Sequence, residues 1–178
     1  MNYKLLFLLI NVSIMAQNYT VVDSKSKVDF VIKNLGLSVN GSFTGLKGNI
    51  SINPKDLINS SLNISLNAKS VNTENKARDK HLRQDDYFDV EKYPEINFKS
   101  STVTALPKPN CYFVEGILTI KGISKQIKTE IIISEKSAFI EVKTNFEINR
   151  RLFKVGGKSF VLSDIVKLNI NLMVEKTD

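Results

Sequence analysis

The chain is poor in the residues that build metal and disulfide sites. Among its 178 residues there is one cysteine, Cys111, and one histidine, His81. A lone cysteine provides no internal disulfide and no zinc site built on cysteine pairs, and a lone histidine cannot supply a histidine triad for a metal. No G-x-S-x-G elbow or comparable nucleophile motif is present either. We interpret Cys111 as a small buried apolar group.

Long hydrophobic runs are confined to the N-terminus. The opening MNYKLLFLLINVSIMAQ has one charge, Lys4, before an apolar stretch that ends at Ala16, which is typical of a secretory signal peptide. Cleavage is expected after Ala16, although Ile14 stands where a small residue is usual, and a retained anchor is the alternative. No later segment approaches the roughly 20 apolar residues of a spanning helix. We therefore expect a signal peptide at residues 1–16 and one periplasmic or secreted domain at 17–178.

The charge is positive but dispersed. Lys and Arg number 25 against 18 Asp and Glu, giving +7, or +6 once Lys4 leaves with the signal peptide. The nearest approach to a basic cluster is NRRLFK at 149–154, which we interpret as part of a solvated face. Such a surplus favours transient contact with an anionic membrane or a phosphate head group. It lacks the aromatic interleaving of a nucleic-acid track, so nucleic acid is not an expected partner.

Alternation of apolar and polar residues dominates the chain from Lys27 onward. In KVDFVIK at 27–33, one face carries Val28, Phe30 and Ile32 and the other carries charges. This period is that of a half-buried strand. The pattern returns often enough for eight or nine strands, at residues 62–68, 96–98, 112–120, 127–133, 138–146 and 166–174.

Turn chemistry separates the alternating runs. Asn40-Gly41 is a pair favoured in two-residue hairpins, Asn53-Pro54-Lys55-Asp56 suits a type I turn, and SEKS at 134–137 joins two runs. These signals predict an antiparallel sheet whose edges are resolved either by closing into a barrel or by stacking as a sandwich.

One interval, residues 72–93, interrupts the alternation. Thr73 is placed to cap a short helix over 75–83, with Asp79 and Arg83 paired at i,i+4. The stretch RDKHLRQDDYFDVEKYP at 78–94 resembles an active site because it joins His81 to arginines and aspartates. The density of alternating charges favours local ion pairs that hold a loop with few apolar residues, and we predict no catalytic residue and no metal ligand here.

Several segments carry a family resemblance. They occur in the order VDF at 28–30, SVNT at 70–73, RDKHLR at 78–83, DYFDVEKYP at 86–94, INFKS at 96–100, VEGILTIKGI at 114–123 and RRLFKVG at 150–156. On these motifs the mature chain resembles the YceI-like family over nearly its whole length.

The resemblance implies a fold and a function. The fold is an all-β, lipocalin-like, extended eight-stranded antiparallel barrel, here with a short helix in a long loop around residues 73–93. The function is to hold a polyisoprenoid chain, of the quinone or prenyl phosphate type, in the apolar interior for transport, storage or sequestration, with no cofactor and no catalysis. Arg78, His81 and Arg83 are the candidates for head-group contacts. The candidate interior residues are Phe30, Ile32, Phe43, Leu62, Ile64, Leu66, Phe98, Val114, Leu118, Ile120, Phe146, Leu168 and Ile170.

Three alternatives remain open at the level of sequence. A small outer-membrane barrel has the same alternation with its apolar face outward, although the absence of tryptophan and of aromatic girdles argues against it. A barrel filled by its own side chains would act through its surface, because an apolar strand face is more often core than ligand wall. An enzyme that uses His81 is the third alternative.

Overall fold

The computed structural model describes residues 17–53, 56–136 and 138–177. The predicted signal peptide at 1–16, and Pro54 and Lys55 of one predicted turn, lie outside the described residues. The described part contains one α-helix, α1 (Lys76–Leu82), and ten strands. They are β1 (Gln17–Val21), β2 (Lys27–Asn34), β3 (Leu37–Phe43), β4 (Lys47–Ile52), β5 (Ser61–Asn67), β6 (Glu95–Ala105), β7 (Cys111–Ile120), β8 (Ile123–Lys136), β9 (Phe139–Asn149) and β10 (Leu162–Lys176).

The ten strands occupy eight positions around a closed antiparallel barrel. β1 and β2 follow each other along β10, with Val21 opposite Val174 and Val28 opposite Ile170. β3 and β4 likewise follow each other along β2 and β1. The pairing of β1 with β10 closes the sheet. Closure rules out the sandwich and confirms the predicted eight-stranded barrel.

The two interrupted strands break side by side because one carboxylate joins the breaks. A 3₁₀ turn at Asp23–Lys25 separates β1 from β2. The Asp23 carboxylate accepts hydrogen bonds from the backbone N–H groups of Gly45, at 3.1 Å, and Leu46, at 2.8 Å, in the break between β3 and β4. Both breaks therefore bend at the same height of the barrel.

The tight hairpin turns fall at other residues than the sequence predicted. Leu35-Gly36 (φ 51° and 78°) joins β2 to β3, and Lys121-Gly122 (φ 51° and 70°) joins β7 to β8; two consecutive positive φ angles are typical of type I′ turns. The turn predicted at Asn40-Gly41 is wrong, since both residues lie within β3. The connection predicted at 134–137 is wrong for its first three residues, because β8 extends through Lys136, which pairs with Phe139.

The charged excursion between β5 and β6 contains the predicted short helix, with different contacts. Asn75, not Thr73, is the N-cap, since its side chain accepts from the Arg78 N–H. The predicted pairing of Asp79 with Arg83 is wrong. Asp79 is 6% exposed and accepts from the N–H and hydroxyl of Thr73. Arg83 instead donates to backbone carbonyls at residues 69 and 71, so the charges hold the loop through its backbone.

One end of the barrel interior, which we call the filled end, is packed solid. It is lined by β1, β4 and the last residues of β10 together with parts of β6 and β7. Val174 is 0% and Ile50 1% exposed, and Val21, Val103 and Tyr112 are all buried. Cys111 is a free, buried thiol, as predicted. At the opposite end, side chains do not fill the interior.

Candidate functional site

The opposite end of the barrel, the hollow end, encloses an apolar cavity of about 490 Å³. Cavities that hold small molecules are typically about 300 to 1,000 Å³ and mostly apolar. Residues from every strand except β1 and β4 line it, and the excursion and the segment before β10 complete the wall. The volume and the lining are those of a ligand site.

The apolar faces of the strands point into this cavity. On β2, Val28, Phe30 and Ile32 line the lumen, while Lys27 and Lys33 on the other parity are exposed. The structure places all thirteen candidate interior residues in the wall of the cavity: Phe30, Ile32, Phe43, Leu62, Ile64, Leu66, Phe98, Val114, Leu118, Ile120, Phe146, Leu168 and Ile170.

Two glycines leave room for phenyl rings to lie flat against the wall. A Cβ on Gly41 would lie 2.2 Å from the Phe30 ring, and one on Gly116 would lie 2.6 Å from the Phe98 ring. Each ring therefore covers the backbone of a neighbouring strand. Because the rings occupy space that a side chain would otherwise take, less of their volume projects into the lumen.

Two threonines form a polar pair in the wall of the cavity. Thr129 and Thr144 both line the cavity, and their hydroxyl oxygens lie 2.7 Å apart in a mutual hydrogen bond. Since buried hydroxyls cost free energy unless they are paired, this contact lets two polar side chains face an apolar lumen. Sequence reasoning did not select this pair as site residues, although the alternation already placed Thr129 on the inward face of its strand.

The mouth of the cavity lies beside α1 and the segment before β10. His81 and Val161 line the cavity and are also exposed. The His81 Nε2 lies 2.9 Å from the Asp86 carboxylate, and its ring packs edge-on against Tyr87. Arg78 also lines the cavity; its guanidinium donates to the hydroxyl and carbonyl of Thr73.

The third candidate for a head-group contact lies elsewhere. Arg83 is not among the residues that line the cavity, and its guanidinium binds backbone carbonyls of the excursion. The structure therefore brings Arg78 and His81 together at the mouth and leaves Arg83 outside it.

A buried arginine that sequence reasoning assigned to a solvated basic cluster supports the mouth. Arg150 is 4% exposed and lines the cavity. Its guanidinium donates five hydrogen bonds, so it fixes the segment that leads into β10. The acceptors are the carbonyls of Val155, Gly157, Leu162 and Ser163 and the Asp164 carboxylate.

The described residues contain neither a metal-binding cluster nor a membrane-spanning helix. Within residues 17–53, 56–136 and 138–177, no group of three or more His, Cys, Asp or Glu side chains is arranged to hold a metal ion. Among the helices of that same part of the chain, none has the length and apolar character needed to cross a membrane.

These features define a class of protein: a closed antiparallel barrel with an apolar ligand cavity at one end. The sequence model of the YceI-like domain matches residues 19–174, and the chain belongs to this family, which confirms the resemblance found in its motifs. A UPF0312 protein of Photorhabdus laumondii is 30% identical over 151 residues, covering 82% of this chain and 78% of its own.

Two solved structures are similar to the barrel. Burkholderia cenocepacia BcnA superposes with a TM-score of 0.80 at 25% identity, covering 86% of this chain and 98% of BcnA. A polyisoprenoid binding domain from Saccharophagus degradans superposes with a TM-score of 0.73 at 19% identity, covering 89% of this chain and 98% of the domain. At that identity the second likeness shows the shared fold.

Proposed function

We propose that the protein binds a long polyisoprenoid chain, of the quinone or prenyl phosphate type, in the cavity of the hollow end. The observation that carries the proposal is an apolar cavity of about 490 Å³ enclosed by the inward, mostly apolar faces of the strands. The described similarity to a polyisoprenoid binding domain supports the same ligand class. Binding, not catalysis, is the activity that this site supports.

The energetics suit an isoprenoid tail. Burying each CH₂-sized group contributes roughly 0.8 kcal/mol, so several prenyl units in the lumen outweigh the cost of ordering the chain. Polar contacts then matter only at the mouth, where Arg78 and His81 are the head-group candidates. Charged residues such as Lys27 and Lys33 point outward, which favours lipid inside the barrel over a barrel set in lipid.

The apolar leader at residues 1–16 supports the further proposal that the protein is exported and acts as a carrier or store outside the cytoplasm. A periplasmic or secreted barrel would move or sequester an insoluble lipid through water. Cell fractionation tests this directly: recovery in the periplasmic or secreted fraction is expected, and recovery in the cytoplasm contradicts it.

The ligand proposal is tested with quinones whose isoprenoid tails have one to ten units. Affinity should rise with tail length while the tail fills the cavity, and then level off when further units extend past the mouth. A head group held at the surface would instead give an affinity that does not depend on tail length, and that result would refute the proposal.

A further inference from the structure

Beside the mouth lies an exposed apolar surface, the mouth patch, formed by Leu35, Leu37, Phe160 and Val161. Their exposed fractions are 72%, 73%, 98% and 48%. The two segments of the patch lie side by side, because the Leu35 N–H donates to the Val161 carbonyl at 2.8 Å and Leu37 pairs across the hairpin with Asn34. Large apolar side chains grouped in this way mark interaction surfaces on soluble domains.

The mouth patch adjoins the ligand cavity. Val161 belongs to both, and Val39 and Leu162, which neighbour the patch in the two segments, also line the lumen. A partner that covers the patch therefore faces the opening through which a ligand passes.

The charges of the patch segments favour an anionic partner. Its two segments, residues 33–38 and 157–162, contain Lys33 and Lys158 and no acidic residue. The Lys158 Nζ lies 5.8 Å from the Phe160 ring centroid. The nearby carboxylate of Asp164 is shared by Arg150, at 3.2 Å, and Arg151, at 3.3 Å. Apolar side chains rimmed by lysines complement an anionic bilayer, where the former insert and the latter meet the head groups.

A second copy of the chain fits less well. An isologous contact would place the patch against itself and bring Lys33 and Lys158 of one copy against the same lysines of the other. Like charges across an interface oppose association.

We propose that the mouth patch docks the protein on an anionic bilayer, so that the cavity opens against the membrane and an isoprenoid chain passes between them without crossing water. The purpose of the docking rests on the proposed function, whereas the docking itself is measured without any ligand.

The test is flotation with vesicles of phosphatidylglycerol and phosphatidylcholine, using the mature protein. The double variant Leu35→Asn, Phe160→Ser should bind these vesicles on the order of tenfold more weakly than the wild type, because its apolar insertion is removed. Asn tolerates the positive φ of 51° at position 35, so the variant should fold. Ile58→Ser is the matched control: Ile58 is 95% exposed but lies at the filled end, between β4 and β5, and the control should bind like the wild type.

The double variant Lys33→Gln, Lys158→Gln should bind phosphatidylglycerol vesicles more weakly than the wild type, and this binding should no longer depend on salt. Equal flotation of the wild type and the Leu35→Asn, Phe160→Ser variant would overturn the proposal, as would failure of the wild type to float with anionic vesicles. Self-association that the patch variant abolishes, seen in sedimentation velocity without vesicles, would assign the surface to a second copy and likewise overturn it.

Ligand binding is measured separately, without vesicles, with a long-tailed quinone delivered in detergent. If the patch variant loses flotation and keeps quinone binding, both proposals stand. If the wild type binds no quinone while flotation still depends on the patch, the isoprenoid proposal fails and the docking proposal stands. If quinone binds and flotation ignores the patch, only the docking proposal fails.

Discussion

The two ends of the barrel share one sheet and one alternating pattern, yet their interiors differ. At the filled end, Val174 and Ile50 are almost fully excluded from solvent. At the hollow end, Ile64, Leu168 and Ile170 also point inward but stay partly exposed, because their free surface faces the cavity. Near the filled end, burial raises the pKa of the Tyr19 hydroxyl, and the negative charge of the Glu135 carboxylate raises it further.

Two features keep the hollow end open. Alternation directs apolar side chains inward at every height, and packing alone would fill the lumen throughout. At the hollow end, glycines let the rings of Phe30 and Phe98 lie against the wall. The excursion and the segment fixed by Arg150 then cover the opening from the rim and leave the middle of the lumen free.

The largest expected difference between the ends comes from removing volume. Ile50→Ala at the filled end should lower the free energy of unfolding by about 3 kcal/mol, since it leaves a cavity in a packed core. Ile64→Ala on the cavity wall should cost about 1 kcal/mol, because one side of Ile64 lacks packed neighbours already. Urea denaturation measures both, and equal losses would contradict the distinction between the ends.

Adding volume should also destabilise the filled end more than the hollow end. Val174→Phe overpacks the filled end and is expected to cost about 2 kcal/mol. Leu168→Phe projects into the cavity and should leave the free energy of unfolding within about 0.5 kcal/mol of the wild type, because the added atoms meet open space. The same Leu168→Phe variant should bind long-tailed quinones more weakly. Unchanged quinone binding, or a stability loss matching that of Val174→Phe, would contradict a hollow interior.

Gly41→Ala tests how the cavity is kept open. The new methyl group would lie 2.2 Å from the Phe30 ring, so the ring must turn into the lumen. We expect weaker binding of long-tailed quinones with a stability loss of about 1 kcal/mol or less, since the lumen accepts the ring. Gly157→Ala, where a Cβ meets nothing within 4 Å, is the control and should be neutral. Tail-length dependence identical to the wild type would show that the ring does not control the cavity.

The smallest effect concerns pH and a carboxylate on the outer face of β9. A hydrogen bond from Lys143, at 3.0 Å, lowers the pKa of Glu141 against the opposing effect of burial, and Asn171 and Ser134 lower it further. With its folded-state pKa below its ordinary value of 4.5, Glu141 stabilises the fold above that value and loses the contribution as the pH falls through the folded-state pKa.

Glu141→Gln should therefore lower stability at neutral pH and show a smaller further loss on acidification below pH 4.5. Glu147→Gln is the control, because its pair with Lys167 is exposed on both sides and contributes little. Urea denaturation across pH measures the difference, and parallel pH profiles for the wild type and Glu141→Gln would contradict this role.

Much of the fold could be predicted from the sequence because side-chain parity is local. Alternation fixes which residues of β2 face inward once the sheet closes, and the candidate interior residues accordingly lie in the cavity wall. The hairpin turn at Leu35-Gly36 was not predicted because leucine is not a usual turn residue. Asn40-Gly41 has the usual sequence of a turn, but in the structure Gly41 lies under the Phe30 ring. Only the tertiary contact distinguishes those two uses of glycine.

The site was harder to predict than the fold. Whether an inward face meets other side chains or open space depends on the far wall, which no local pattern records. The buried role of Arg150 was not predicted for a related reason, because a sequence shows its charge but not the four carbonyls that surround it. Arg83 was grouped with Arg78 by sequence proximity, although their side chains bind different parts of the excursion.

The most direct test of a ligand-holding interior is mass spectrometry of organic extracts from protein purified gently out of its native envelope. A stoichiometric species with a prenyl tail is the predicted result, and its mass identifies the head group in the same step. A clean extract from a protein that also takes up no added long-tailed quinone would contradict the account and would assign the function to the surface of the barrel.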